Sequence, residues 1–208
     1  MKLLIIGSTG PTGLQLVEQA LSAGHEVTAA VRSPDNAALP SNARKVRADV
    51  TDAASLLAAV SGQEVVISSL GSPLSRKPTT LLSDGTRNLI AAMKQSDVRR
   101  LICITGIGAG DSRGHGGFFY DKIIQPLLLS EIYKDKDRQE LVVRESGLDW
   151  TIVRPGQLTN GDKTGNIRVL SNLTGITVGK ISRADVAAYI LAHLTDAKTF
   201  GSIFTLTY

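Results

Sequence analysis

The sequence predicts an α/β fold: a doubly wound, mostly parallel sheet with helices on both faces, in a single domain over residues 1–208. Three observations predict it. A short apolar run, Leu3-Leu4-Ile5-Ile6, leads through the glycine turn Gly7-Ser8-Thr9-Gly10-Pro11-Thr12-Gly13 into an amphipathic stretch with Leu14, Val17 and Leu21 on one face. Strand-like and helix-like segments then alternate along the chain, as parallel strands joined by crossover helices must. No internal repeat, low-complexity tract or long linker divides it.

Strand, glycine turn and helix together are expected to form the anion site for a dinucleotide; the alternative is a structural turn in some other α/β protein. Gly7 turns the chain off the strand, Gly10 allows backbone N–H groups to approach a pyrophosphate, and Gly13 lets the helix pack closely on the strand. The anion sits on the helix N-terminus, where unpaired N–H groups and the helix dipole favour negative charge. Thr9, Pro11 and Thr12 complete the turn, whose spacing is G-x-x-G-x-x-G rather than G-x-G-x-x-G. The second strand, His25 to Arg32, selects the dinucleotide. An acid at its end would bond the ribose 2′-hydroxyl of NAD; here Val31-Arg32-Ser33 offers a guanidinium, which suits the 2′-phosphate of NADP. The alternative is that Arg32 is a solvated strand-end residue.

The remaining elements follow in order. Pro34 to Asn42 is a loop, and Lys45–Val50 the third strand, ending near Asp49. Thr51 or Asp52 caps a helix over Ala53–Val60 that Gly62 closes. Glu64–Gly71 is the fourth strand, apolar enough to be covered on both faces. Strands one and four then flank the switch point, where ligands bind at the carboxyl ends. There Leu70-Gly71 permits backbone approach to a ribose, or is simply a turn. A helix over Thr80–Gln95 leads to a fifth strand, Leu101–Gly106, in which Cys103 reads as a buried small hydrophobe.

Gly106 to Phe118 holds six glycines and is expected to be either a mobile lid or a plain surface loop. The apolar stretch from Phe118 to Leu128, interrupted by Pro126, walls a substrate pocket or belongs to the core. Glu131–Glu145 is a helix with Ile132, Leu141 and Val142 inward; its charge run Lys134-Asp135-Lys136-Asp137-Arg138 suits a solvated face. Asp149–Arg154 is the sixth strand, with Arg154 as a structural brace. A polar segment from Asn160 to Lys180, with a short strand over Asn166–Leu170, covers the substrate side. Arg183–Leu194 is the last helix, with Asp185 near its positive end, and Phe204 and Leu206 close the sheet.

Over nearly its whole length the chain resembles the atypical short-chain dehydrogenase/reductases with an NAD(P)H-binding domain, and among them the biliverdin reductase B/flavin reductase group and the NmrA-like proteins. The resemblance is carried by Gly7–Gly13, Gly24-His25-Glu26-Val27-Thr28, Val31-Arg32, Ala48-Asp49-Val50, Leu70-Gly71, Pro78-Thr79-Thr80, Gly147 to Gly156 and Ile181-Ser182-Arg183-Ala184-Asp185-Val186-Ala187. It implies a Rossmann-type fold. It implies that Asp49, with Val50 beside it, accepts a hydrogen bond from the adenine amino group; the alternative is a cap or turn role. It implies that Lys136 serves the nicotinamide ribose and active-site edge, and that Pro155-Gly156 backbone lines the nicotinamide. For Lys136 the alternative is an exposed ion pair with Glu140, four residues on.

Ordinary members of that superfamily place a serine or threonine at the end of the fifth strand, followed by a tyrosine and lysine at Y-x-x-x-K spacing. Thr105 stands at the strand end, as a substrate or nicotinamide contact or a structural residue. The pair is missing: four residues after Tyr120 is Ile124, and four after Tyr133 is Asp137. The expectation is therefore an NADPH-dependent reductase that passes hydride to a planar, electron-poor small molecule of flavin, quinone or tetrapyrrole type, with solvent supplying the proton. Its substrate side is built from residues 107–130 and 157–180. The alternative is a non-catalytic dinucleotide sensor of NmrA type; a sugar-nucleotide epimerase suits a short chain without the pair less well.

Composition narrows the partners. Hydrophobic content of 42% and charged content of 20% are ordinary for a globular domain. A net charge of +4 comes from small scattered groups such as Arg76-Lys77 and Arg99-Arg100, and aromatics are 4%, so nucleic acid is not expected as a partner. No apolar run reaches membrane-span length, and one cysteine fits a reducing compartment. The expectation is a cytoplasmic monomer or weak homo-oligomer with a small-molecule substrate and no metal.

Overall fold

The computed structural model describes residues 1–208. Eight strands form one sheet in the order β3-β2-β1-β4-β5-β6-β10-β8. These are β1 (Lys2–Ile6), β2 (Glu26–Val31), β3 (Arg44–Arg47), β4 (Val65–Ser68), β5 (Arg100–Ile104), β6 (Asp149–Pro155), β8 (Arg168–Leu170) and β10 (Ser202–Thr207). All neighbours pair in parallel except β8, which runs antiparallel to β10 with Leu206 opposite Val169. Between β6 and β8 lies β7 (Gln157–Thr159), which pairs with β9 (Lys180–Ser182) in a separate two-stranded sheet. The order in which strands are added reverses between β1 and β4, so the clefts at their carboxyl ends lie where a doubly wound sheet binds ligands.

Side chains alternate between the two faces of each strand. Leu3 and Ile5 enter one core with Leu16 and Val17 of α1 (Pro11–Ser22) and Val186 and Ile190 of α5 (Arg183–Ala192). Leu4 and Ile6 enter the other, against Leu56 of α2 (Ala53–Val60), Leu89 and Met93 of α3 (Leu81–Gln95) and Val143 of α4 (Ser130–Arg144). Burial on both faces is why these strands are apolar throughout. Asp52 caps α2, accepting from the N–H groups of Ala54 and Ser55. No helix is long and apolar enough to cross a membrane.

Several expectations change. The third strand ends at Arg47, so Asp49 stands in the turn beyond it. The strand at Arg168–Leu170 extends the main sheet edge instead of lying over the substrate side. Within α4, Val143 faces the core and Leu141 is 51% exposed, a shift of the buried stripe by part of a turn. The glycine-rich segment is anchored: Ile107 N–H donates to the Pro155 carbonyl at 3.0 Å, and Gln125 Nε2 to the Gly108 carbonyl at 2.9 Å. Tyr120–Leu129 is a π-helix that continues into α4. Pro126 inside it lacks an N–H, which suits the wider spiral. Its apolar side chains are not core, since Ile123 and Leu127 are exposed, as are Phe118 and Phe119 just before it.

Candidate active site

The glycine turn exists through close backbone contact. Gly7 has φ +74°, and a Cβ there would stand 2.3 Å from the Ser69 carbonyl oxygen. A Cβ on Gly13 would stand 2.1 Å from the Gly7 carbonyl oxygen, so only glycine lets α1 start this close to β1. Gly10 differs from expectation: its φ of −72° suits any residue, and its N–H donates internally to Gly7. The free donors lie further on. The first turn of α1 has no side-chain cap, Pro11 has no N–H, and the N–H groups of Thr12 and Gly13 have no backbone partner.

This helix start lines a cleft of about 470 Å³. Gly7, Thr9, Gly10, Pro11 and Thr12 contribute from the turn, Arg32 from the end of β2, Asp49 and Val50 from beyond β3, and Leu70 and Gly71 from beyond β4. Thr105 and Lys136 close the far end. Gly13 does not line the cleft, being buried against the turn. Ser33 does not either; it is exposed ahead of the short 3₁₀ turn Pro34–Asn36. Arg32 is exposed at the cleft edge. Asp49 Oδ1 accepts from the Thr51 N–H at 2.9 Å and the Thr51 hydroxyl at 2.7 Å. Those bonds, with a smaller pull from Arg32, hold the carboxyl below the usual carboxylate range. Asp49 therefore shapes the turn, and its second oxygen has no protein partner.

At the far end, charge is organised in a way the sequence did not announce. Glu140 is buried and bridges three elements: it accepts from Thr105 Oγ1 at 2.7 Å and from Arg154 Nε at 2.9 Å and Nη2 at 2.5 Å. Lys136 is not paired with Glu140 on a solvated face; its ammonium donates to the Thr105 carbonyl. Burial brings that ammonium down to about 8, although Glu140 nearby works the other way. Because the Thr105 hydroxyl proton goes to Glu140, Thr105 is a wall of the cleft rather than a proton donor to substrate. Asp135, in the same charge run, is fully buried and caps α3, accepting from the Leu82 N–H at 2.8 Å and the Ser83 hydroxyl at 2.6 Å. Arg100 is buried too, donating to the Leu194 and His193 carbonyls at the end of α5.

A second cleft, of about 840 Å³, adjoins the first and shares Thr105, Lys136, Leu158 and Arg183 with it. Pro155 and Gly156 line this one. Its walls carry Phe118, Phe119, Tyr120 and Tyr133. Tyr133 is the residue that sequence reasoning missed. Its hydroxyl accepts from Tyr120 at 2.6 Å, and the Lys136 ammonium lies 5.2 Å from its ring centroid. A Cβ on Gly106 would lie 3.2 Å from both the Tyr133 hydroxyl and the Lys136 ammonium, so glycine at that strand end keeps both groups open to the cleft. The Y-x-x-x-K pattern has a spacing of four, whereas these two stand three apart in the sequence, which also puts them on one helix face.

The donor set suits a nicotinamide dinucleotide: an uncapped helix start, a turn that only glycine allows, and a free guanidinium at its edge. Comparison with known proteins defines the class. The chain matches the family described as NAD(P)H-binding over residues 7–197, and it belongs to that family. It is 31% identical over 211 residues to an uncharacterized chloroplastic protein of Arabidopsis thaliana, covering 95% of this chain and 73% of that one. It is 29% identical over 214 residues to the uncharacterized sugar epimerase YhfK of Bacillus subtilis, covering 100% of this chain and 94% of that one. Among solved structures it shares its fold with ChuY, an anaerobillin reductase from Escherichia coli O157:H7, at TM-score 0.83 and 24% identity, with 100% and 97% of the two chains covered.

Proposed function

We propose that the protein is an NADPH-dependent reductase acting on a planar, electron-poor small molecule. One observation carries the proposal: the dinucleotide cleft opens at Thr105 and Lys136 into a second cleft walled by four aromatic residues. An open pocket at the nicotinamide end is what turnover needs; a sensor needs no such pocket. Substrate enters between residues 107–130 and 157–180, which supply Phe118, Phe119, Leu158 and Val178 to its walls.

The residues take these parts. The start of α1 holds the pyrophosphate, Arg32 the 2′-phosphate, the free oxygen of Asp49 the adenine amino group, and Lys136 the nicotinamide ribose. Bound NADPH supplies the hydride. Tyr133 gives a proton to the substrate atom that gains electrons, in place of solvent. The Tyr120 hydroxyl can turn its own proton to Tyr133 or to the Ile107 carbonyl at 3.3 Å, and when it faces Tyr133 the Tyr133 proton is free for substrate. Burial raises the Tyr133 phenol, keeping it protonated until substrate draws on it, and Lys136 beside the ring steadies the phenolate that results.

The test is NADPH consumption, followed by absorbance, with FMN, a quinone, biliverdin and a sugar nucleotide. Saturable turnover on a planar acceptor, reduced at least tenfold by Tyr133→Phe, is expected. Tight NADPH binding without turnover would replace the reductase by a dinucleotide sensor. Conversion of the sugar nucleotide without net NADPH loss would replace it by an epimerase.

A further inference from the structure

The second cleft has a charge imbalance that hydride transfer does not explain. Three cations line it, Lys136, Lys180 and Arg183, and no aspartate or glutamate does. Lys136 is committed to the Thr105 carbonyl. Lys180, at the start of β9, is exposed and its side chain has no protein partner, while Arg183 donates only to Asn160 Oδ1, at 2.7 Å. Neither is held by a carboxylate.

Their place in the fold makes this more pointed. Arg183 is the first residue of α5, directly after its cap Ser182, and Lys180 stands two residues before that cap. A cation at the positive end of a helix is disfavoured, so helix stability does not account for them. The same helix start already has its acid, Asp185, but that carboxylate is taken up by Thr164, Gly165, Ser182 and Tyr208. Two cations without a carboxylate partner thus border a cleft whose walls also carry Phe118, Phe119, Tyr120 and Tyr133. An anion in the cleft would supply the charged partner that both lack.

We infer that the substrate is a conjugated molecule bearing a carboxylate or phosphate, its ring system against the aromatic walls and its anionic group on Lys180 and Arg183. The inference rests on the reductase reading for the reaction, not for the binding. Arg183 also borders the dinucleotide cleft, so the competing assignment is that it serves the cofactor pyrophosphate.

Matched pairs separate these cases: FMN against riboflavin, and biliverdin against its dimethyl ester, each pair sharing one ring system with and without the anion. In steady state, kcat/KM should favour the anionic member at least tenfold, mainly through KM. Lys180→Gln and Arg183→Gln should each shrink that ratio while leaving the KM for NADPH unchanged. Binding of the same pairs to the NADP⁺-loaded protein, read by fluorescence quenching, should show the same preference and lose it as salt rises. Equal affinities within both pairs would overturn the inference even if both members are reduced. So would an Arg183→Gln variant that raises the KM for NADPH and leaves the ratio intact. Anion preference in binding without any turnover would remove only the reductase reading.

Discussion

Arg154 grips Glu140 with two parallel bonds, Nε to Oε1 at 2.9 Å and Nη2 to Oε2 at 2.5 Å, with both side chains 5% exposed. The pair joins β6 to α4, and through Thr105 Oγ1 it reaches β5. Removing Arg154 strands the Glu140 charge in the interior, and removing Glu140 leaves Arg154 with Asp111 alone, whose side chain is 88% exposed. Glu140→Ala is therefore expected to destabilise the protein by about 3–5 kcal/mol, measured by urea unfolding. Replacing both members by methionine should recover part of that loss, because two apolar side chains need no partner, although the buried Thr105 hydroxyl then loses its acceptor. A cost below about 1 kcal/mol for Glu140→Ala would mean that the bridge does not hold these elements together.

Arg32 tests the cofactor preference. It is exposed at the cleft edge, and the proposed function assigns the 2′-phosphate to it. Arg32→Ala should weaken NADPH binding about tenfold to a hundredfold, the scale of one charge-assisted fork, and change NADH binding less than threefold. Fluorescence titration of both nucleotides reads the difference; equal losses would remove Arg32 from the phosphate site.

The parts of this molecule that depend on near neighbours were legible in the sequence. The glycine turn, the helix Ala53–Val60 with its Asp52 cap, and the switch point between β1 and β4 all follow from residues a few positions apart. The cleft residues from Gly7 to Gly71 were legible for the same reason: they sit at or just beyond strand ends, which were readable to within a few residues, although Gly13 and Ser33, expected with them, do not line the cleft. What stayed hidden depends on distant partners. Lys134 to Arg138 has the alternating charge of a solvated face, yet Asp135 is buried because α3, 53 positions away at Leu82, needs a cap. Glu140 is buried because Arg154 and Thr105 meet it there. Arg100 looked like part of a scattered basic surface, and is instead enclosed by carbonyls and by the Phe200 ring 4.6 Å away. A local charge pattern does not distinguish a water-facing helix from one that serves as a polar anchor for its neighbours.

Lys136 gives a pH dependence. Its pKa is brought down from an ordinary lysine value to about 8, and a lysine is a cation below its pKa. The charge that the proposed function places at the nicotinamide ribose and the Tyr133 phenolate is thus present at neutral pH and lost as pH rises through about 8. In the free enzyme kcat/KM should fall with rising pH on a single limb near that value. Lys136→Met should lower the plateau and remove the limb, whereas Lys136→Arg should keep the charge and push the limb upward. A limb unchanged in Lys136→Met would assign it to another group.

Asp185 sets the response to acid. Burial alone would push its carboxyl up, but the bonds it accepts from Thr164 N–H, the Tyr208 hydroxyl at 2.7 Å and Gly165 N–H at 2.8 Å outweigh that and hold it well below the usual carboxylate range. Through them one side chain ties the segment after β7 to the start of α5 and to the chain's last residue. A depressed carboxylate contributes stability that is complete above its unfolded pKa, about 4, and is lost as pH falls through the lower folded value. Asp185→Asn should cost on the order of 2 kcal/mol at pH 7, since an amide accepts fewer and weaker bonds than the carboxylate. The gap between the two proteins should narrow as pH falls below about 4, where the unfolded aspartate takes up its proton. A gap that stays constant from pH 7 to pH 3 would place the acid sensitivity in another carboxylate and leave Asp185 as a packing residue.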